Sequence, residues 1–161
     1  MDYEGHIIKS QEEGVLWKKM RWDHTLMIHR EELEKKGFLT RFLLSVTWLR
    51  TVPFRYKGVL QLTDQVLTFA GRDMEERRDF CEDVLLTDIH DVYFSYSNVT
   101  EDLSNYDRYR PHWLKPLNIE YATREGMKTM ILYANYHVGL FWASDNKEVF
   151  KLLRDRIPVS G

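Results

Sequence analysis

The chain has 161 residues, 43% of them hydrophobic and 30% charged, enough for one domain with a real core and a short appendage. Its 23 Lys+Arg stand against 25 Asp+Glu, a formal charge of −2, so nucleic acid is not an expected partner and any anionic surface would have to meet a local basic patch. Cys81 is the single cysteine, which excludes an intrachain disulfide and a zinc site built on several thiols.

No apolar run approaches the ~20 residues that span a bilayer. The acidic opening Met1-Asp2-Tyr3-Glu4 is unlike a secretory signal. A cytoplasmic, soluble protein is the expectation.

Residues 1–37 read as a charged, helical N-terminal arm. Trp22, Leu26, His29 and Leu33 recur at helical spacing, and Glu31–Lys35 and Glu32–Lys36 are stabilising pairs four apart. Gly37 follows two lysines where a helix would end, so a helix is predicted over 22–36. From residue 38 the dominant period falls to two. A strand is expected over 42–49, then a hairpin of 56–62 and 66–70 around Thr63-Asp64-Gln65, with Leu60, Leu62, Leu67 and Phe69 on its core face.

Residues 72–79 read as a charged loop and 84–96 as one strand region carrying Ile89, Val92 and Phe94. A long polar segment, 98–115, precedes the clearest strands. There Leu117, Ile119 and Tyr121 alternate with Asn118, Glu120 and Ala122, a turn at 123–126 leads into 127–134, and 137–143 follows. That makes about seven strands. The end is helical: Asp145 and Glu148 have capping-box spacing, Val149, Phe150, Leu152, Leu153 and Ile157 form one apolar stripe, and Pro158 stops the helix. Such a stripe needs a partner surface.

Three stretches carry a resemblance. The run GVLQLTDQVLTF from Gly58 to Phe69 resembles the hairpin G-x-L-x-L-T-x-x-x-L-x-F of the GRAM family, within the PH-like superfold. The run VLLTDIHDV from Val84 to Val92 is similar to that family's strand I-x-L-x-D-I-x-x-V, and Phe141-Trp142-Ala143 before the capped helix resembles its last strand. The resemblance implies a mainly β (α+β) PH-like domain over residues 38–161: a seven-stranded barrel or sandwich capped by one C-terminal α-helix, with the helical arm in front. It also implies a non-catalytic module that binds phosphoinositides, peptides or proteins. The arm and residues 98–115 depart from the pattern.

Four constellations bear on function. Arg41, Arg50, Arg55 and Lys57 lie on or beside the first two expected strands and could converge on a phosphorylated lipid head group, although solvated strand ends have the same look. Tyr106, Arg108, Tyr109, Arg110 and Trp113 have the composition of a partner-binding hot spot, or of rings that fold back on the barrel. Asp23, His24, His29 and Glu32 suggest metal ligands, but a spacing of five turns His24 about 140° from His29 on a helix, so no metal is expected. Serine in a Gly-x-Ser-x-Gly setting and a glycine-rich phosphate loop are both lacking, so neither an enzyme nor a cofactor is expected.

Two readings follow. One is an adaptor for a protein partner, self-association included. The other is a peripheral module for anionic lipid.

Overall fold

The computed structural model describes residues 20–35, 54–95, 115–138 and 142–157. In chain order it holds β1 (Arg21–His29), α1 (Arg30–Lys35), β2 (Tyr56–Leu62), β3 (Val66–Asp73) and β4 (Asp79–Leu85). A 3-10 turn (Leu86–Asp88) leads to β5 (Ile89–Phe94), β6 (Leu117–Thr123) and β7 (Gly126–Tyr133). The two-residue strands β8 (His137–Val138) and β9 (Trp142–Ala143) precede α2 (Asn146–Arg156).

Seven strands form one antiparallel sheet in the order β4-β3-β2-β1-β7-β6-β5. The sheet curls so that its inward rows and α2 share one core. This is the expected mainly β, PH-like sandwich with a single C-terminal helix.

Among the described residues the large sheet has seven strands, but β1 is one that the alternation did not indicate, and β4 begins earlier than expected. Residues 22–29, read as helix, belong to the central strand β1 (Arg21–His29), and among the described residues of the expected arm helix is confined to α1. This part of the expected arm is therefore integral to the sheet, pairing Leu26 with both Lys57 of β2 and Tyr133 of β7. The misreading has a physical cause. β1 is buried on both faces from Thr25 to His29, so it shows no alternation, and a bulge between Trp22 and Thr25 shifts its parity. The surviving pattern imitates a helical period.

The expected charged loop at 72–79 is also smaller than its composition suggested. β3 continues to Asp73, a tight turn covers 74–78, and Asp79 already opens β4. What read as one strand over 84–96 is the end of β4, the 3-10 turn and β5. The strand expected over 42–49 lies outside the described residues.

The hairpin face is as expected, with Leu60, Leu62, Leu67 and Phe69 fully buried. Gly58 and Gly71 face each other across β2 and β3, and a Cβ on either would collide with the other strand's backbone. Side-chain-free positions on both strands let the two backbones approach this closely. Phe80, the register partner of Gly71, stacks on Tyr56 with ring centroids 4.0 Å apart.

α2 buries Val149 and Leu153, each contributing about 2 kcal/mol by removal from water. Its polar anchor is Asn146, fully buried, whose Oδ1 accepts from Ala134 N at 2.8 Å while Nδ2 donates to the carbonyls of Lys115 and Leu132. The expected capping box is not formed. Asp145 Oδ2 accepts instead from Asn135 Nδ2 at 2.7 Å, and Glu148 accepts from Trp22 Nε1 at 3.1 Å. Both acids tie the helix to the sheet rather than to its own first turn.

Replacing Gly71 by alanine is expected to cost about 2 kcal/mol, because the backbone that would have to move belongs to the neighbouring strand. Thermal unfolding should show a Tm lowered by about 6 °C; an unchanged Tm would mean the close approach is not real.

Candidate functional site

β1 runs from Trp22, which holds α2, towards the opposite end of the sandwich, where it finishes at His29. That end is closed by charge. His29 Nε2 lies 2.7 Å from Glu82 Oε2 on β4, and Nδ1 lies 3.2 Å from Glu32 Oε2 on α1. Glu32 Oε2 also accepts from the His29 backbone N–H, the return contact a glutamate makes three residues into a helix. Each carboxylate then takes a tyrosine: Tyr56 Oη donates to Glu32 and Tyr121 Oη to Glu82, both at 2.5 Å. The chain Tyr56–Glu32–His29–Glu82–Tyr121 thus crosses from β2 through α1, β1 and β4 to β6.

Arg55, just before β2, joins this network from outside. It donates to Glu32 Oε1 at 3.0 Å, to Asp73 Oδ2 at 2.7 Å and to Glu76 Oε1 at 3.1 Å, and Glu75 lies 3.7 Å away. Asp73 is only 1% exposed, and its other oxygen accepts the N–H groups of Glu75 and Glu76, which shapes the β3–β4 turn.

The ionisation follows from these partners. Burial alone would depress the His29 imidazole, but the hydrogen bonds and charges of Glu32 and Glu82 outweigh it and lift its pKa from 6.5 to about 9. Burial likewise opposes ionisation of Glu32, yet His29 and Tyr56 bring its pKa down from 4.5 to about 2. Glu82 is lowered too, against its burial, by His29, Tyr121 and the charge of Lys128. The Arg55 guanidinium holds Asp73 at about 2. Both tyrosines are pushed upward, by burial and by the carboxylates they face. At neutral pH the site is therefore an imidazolium clamped between two carboxylates, with neutral phenols outside them.

Of the four cations expected to gather around a head group, Arg41 and Arg50 lie outside the described residues. Arg55 is consumed by carboxylates, and Lys57 is exposed on the outer face of β2, opposite Arg72. The aromatic and arginine set Tyr106, Arg108, Tyr109, Arg110 and Trp113 also lies outside the described residues. His29 and Glu32 do meet, whereas His24 sits exposed in the β1 bulge at φ 54° beside His137. Among the described residues no three potential ligands converge as a metal centre would require.

Glu82, Tyr56, Tyr121 and Asp73 escaped the sequence reading because their partners are 18 to 53 residues away. The usable signals were local ones: His29 three before Glu32, and an acid at an inward position of β4. Comparison of the chain with protein-family models, curated proteins and solved structures finds no match.

Two outcomes test the network. Glu32 contributes stability that is complete above pH 4.5 and lost as pH falls towards 2, whereas the His29 contribution is complete below pH 6.5 and lost as pH rises through about 9. Urea midpoints should therefore decline on the alkaline side by an equivalent of about 3 kcal/mol, and His29→Gln should flatten that limb. A wild-type slope in the variant would remove His29 from the account. Separately, Arg55→Ala strands the buried Asp73 charge and should cost about 3 kcal/mol, measured by urea unfolding at pH 7.

Proposed function

We propose that the chain is a non-catalytic adaptor module whose ligand is a protein, built on a PH-like domain of the GRAM kind. The observation that carries this reading is the closure of the polar network. Both ring nitrogens of His29, and both oxygens of Glu32 and of Glu82, are engaged by neighbours within the fold. A general acid, base or nucleophile needs an atom pointed at substrate; these atoms point at each other, and they brace the end of the sandwich.

The same network weighs against a phosphorylated head group at this end. Glu32, Asp73, Glu75, Glu76 and Glu82 surround His29 and Arg55, so an incoming phosphate would meet excess negative charge. Freeing Arg55 would expose the Asp73 carboxylate it neutralises. Lipid binding would have to rest on Lys57 with Arg41 and Arg50. No helix of the described residues is long and apolar enough to cross a membrane.

The full chain should fail to sediment with vesicles containing phosphatidylserine and a phosphoinositide, at low salt, beyond its level with neutral vesicles. Saturable sedimentation that disappears when Arg41, Arg50 and Lys57 are changed to glutamate would replace the protein reading with the lipid one. A captured protein, purified and titrated back by calorimetry, should bind with defined stoichiometry.

A further inference from the structure

Among the described residues the sheet does not close on itself by hydrogen bonds, and β4 and β5 stand at its two ends. They differ in what covers them. β5 carries a bulge between Ile89 and Asp91, Asp91 lies 3.6 Å from Arg154 of α2, and Phe94 packs against Phe150. β4 has none of these protections. Its register with β3 is regular for its whole length, from Val66–Leu85 to Arg72–Asp79.

The pairing pattern shows which backbone groups are unused. Asp73 N donates to Arg78 O, and Leu86 N donates to Gln65 O, at the two ends of the β3–β4 pair. The alternation of an antiparallel ladder then assigns the N–H and C=O groups of Phe80, Glu82 and Val84 to β3. Those of Asp79, Cys81, Asp83 and Leu85 point away from the sheet, and among the described residues no strand receives them. All four of these side chains are exposed. Leu85 is 50% exposed at one end of the strand, and Met74, in the turn at the other end, is 49% exposed. Meanwhile Glu82, pointing inward, is anchored by His29 and Tyr121, which holds β4 straight against the body of the domain.

A second copy of the chain is a poor occupant. With β4 paired antiparallel to itself over its full length, Glu82 faces Glu82. Sliding by one ladder step sets Asp79 against Asp83 or Asp83 against Asp83. Like charges directly opposite destabilise such pairs. The same acids favour a strand of opposite charge. Asp83 is already oriented along the outer face by Thr68 Oγ1, which donates to it at 2.6 Å.

We infer that the free edge of β4 is a strand-addition site for an extended segment of a partner protein, one that carries basic side chains opposite Asp79 and Asp83. This rests on the adaptor reading and gives it a surface. In an antiparallel addition the two basic positions are four residues apart on one face, with a small or β-branched residue between them opposite Cys81. Backbone pairing supplies affinity, and the two aspartates supply register and choice of partner.

The test uses the full chain and a library of short peptides with lysine fixed at two positions four apart and the rest drawn from valine, threonine and serine. Binding is read by fluorescence anisotropy, and protection by amide hydrogen exchange in NMR. Selected peptides should slow exchange at Asp79, Cys81, Asp83 and Leu85. Cys81→Pro removes an outward N–H that the fold does not use, so it should keep its Tm and weaken binding by at least about tenfold. Changing both aspartates to lysine should reverse the preference to glutamate-bearing peptides.

If Cys81→Pro misfolds, a peptide N-methylated on the face that meets β4 tests the same bond on the unaltered protein. The inference fails if no peptide binds, if β4 amides are unprotected in the complex, or if Cys81→Pro binds normally. It also fails if Cys81→Pro abolishes self-association, since a second copy would then hold the edge. Should a purified partner bind without protecting β4, the edge is wrong and the adaptor reading stands; lysine-dependent vesicle binding with no protein ligand would sink the adaptor reading itself.

Discussion

One strand belongs to both halves of the sheet, and the rest of the architecture follows from that. β1 gives hydrogen bonds to β2 on one side and to β7 on the other, so the β2–β4 and β5–β7 meanders can fold over a common core only by bending around it. Its inward residues Trp22 and Met27 sit in that core. Its outward Leu26 and Ile28 are covered as well, with Tyr133 beside Leu26, and with Ile131 and Leu33 of α1 beside Ile28. A strand buried on both faces cannot slip register without moving two apolar sets at once. The bulge that places His24 at positive φ adds local twist where the strand enters.

The two ends of the sandwich are sealed by different physics. At one end α2 contributes apolar burial, fixed in direction by Asn146 and by the Trp22–Glu148 bond. At the other end no helix of comparable size is present among the described residues, and an ionised network spans the gap. Ionised groups in such a place are costly to desolvate, and the arrangement is tolerable because each charge meets its opposite within hydrogen-bonding distance. His29 is the pivot: without its positive charge, Glu32 and Glu82 would be two part-buried carboxylates facing each other, with Arg55 beside Glu32 alone. Because Glu82 extends from the edge strand, the network also fixes how β4 is held. Interior electrostatics and the exposed edge are thus linked through one residue that points inward while its neighbours point out.

Much of this was readable from the residues. The β2–β3 hairpin, the alternation in β6 and the amphipathic α2 follow from periodicity, because each sets a row of apolar core residues against a row of more polar ones. The need for Gly58 and Gly71 was not, since a glycine in a strand run has many causes and only the approach of a second backbone makes these two necessary. Arg55 shows the same limit for charge. Its place beside the strand 56–62 was legible, while its assignment to Glu32, Asp73 and Glu76 depends on a helix 23 residues earlier and a turn 18 to 21 residues later.

Local chemistry, in short-range periods and single-residue preferences, settled the class of fold, the closing helix and most of the core. Tertiary structure alone decided that residues 21–29 are strand rather than helix, that β4 exists as an edge, and that two distant glutamates share one histidine. The physical reason is burial. A segment covered on both faces loses the amphipathic signature that reveals its secondary structure, and a charge acquires its role only from the partner that the fold brings beside it.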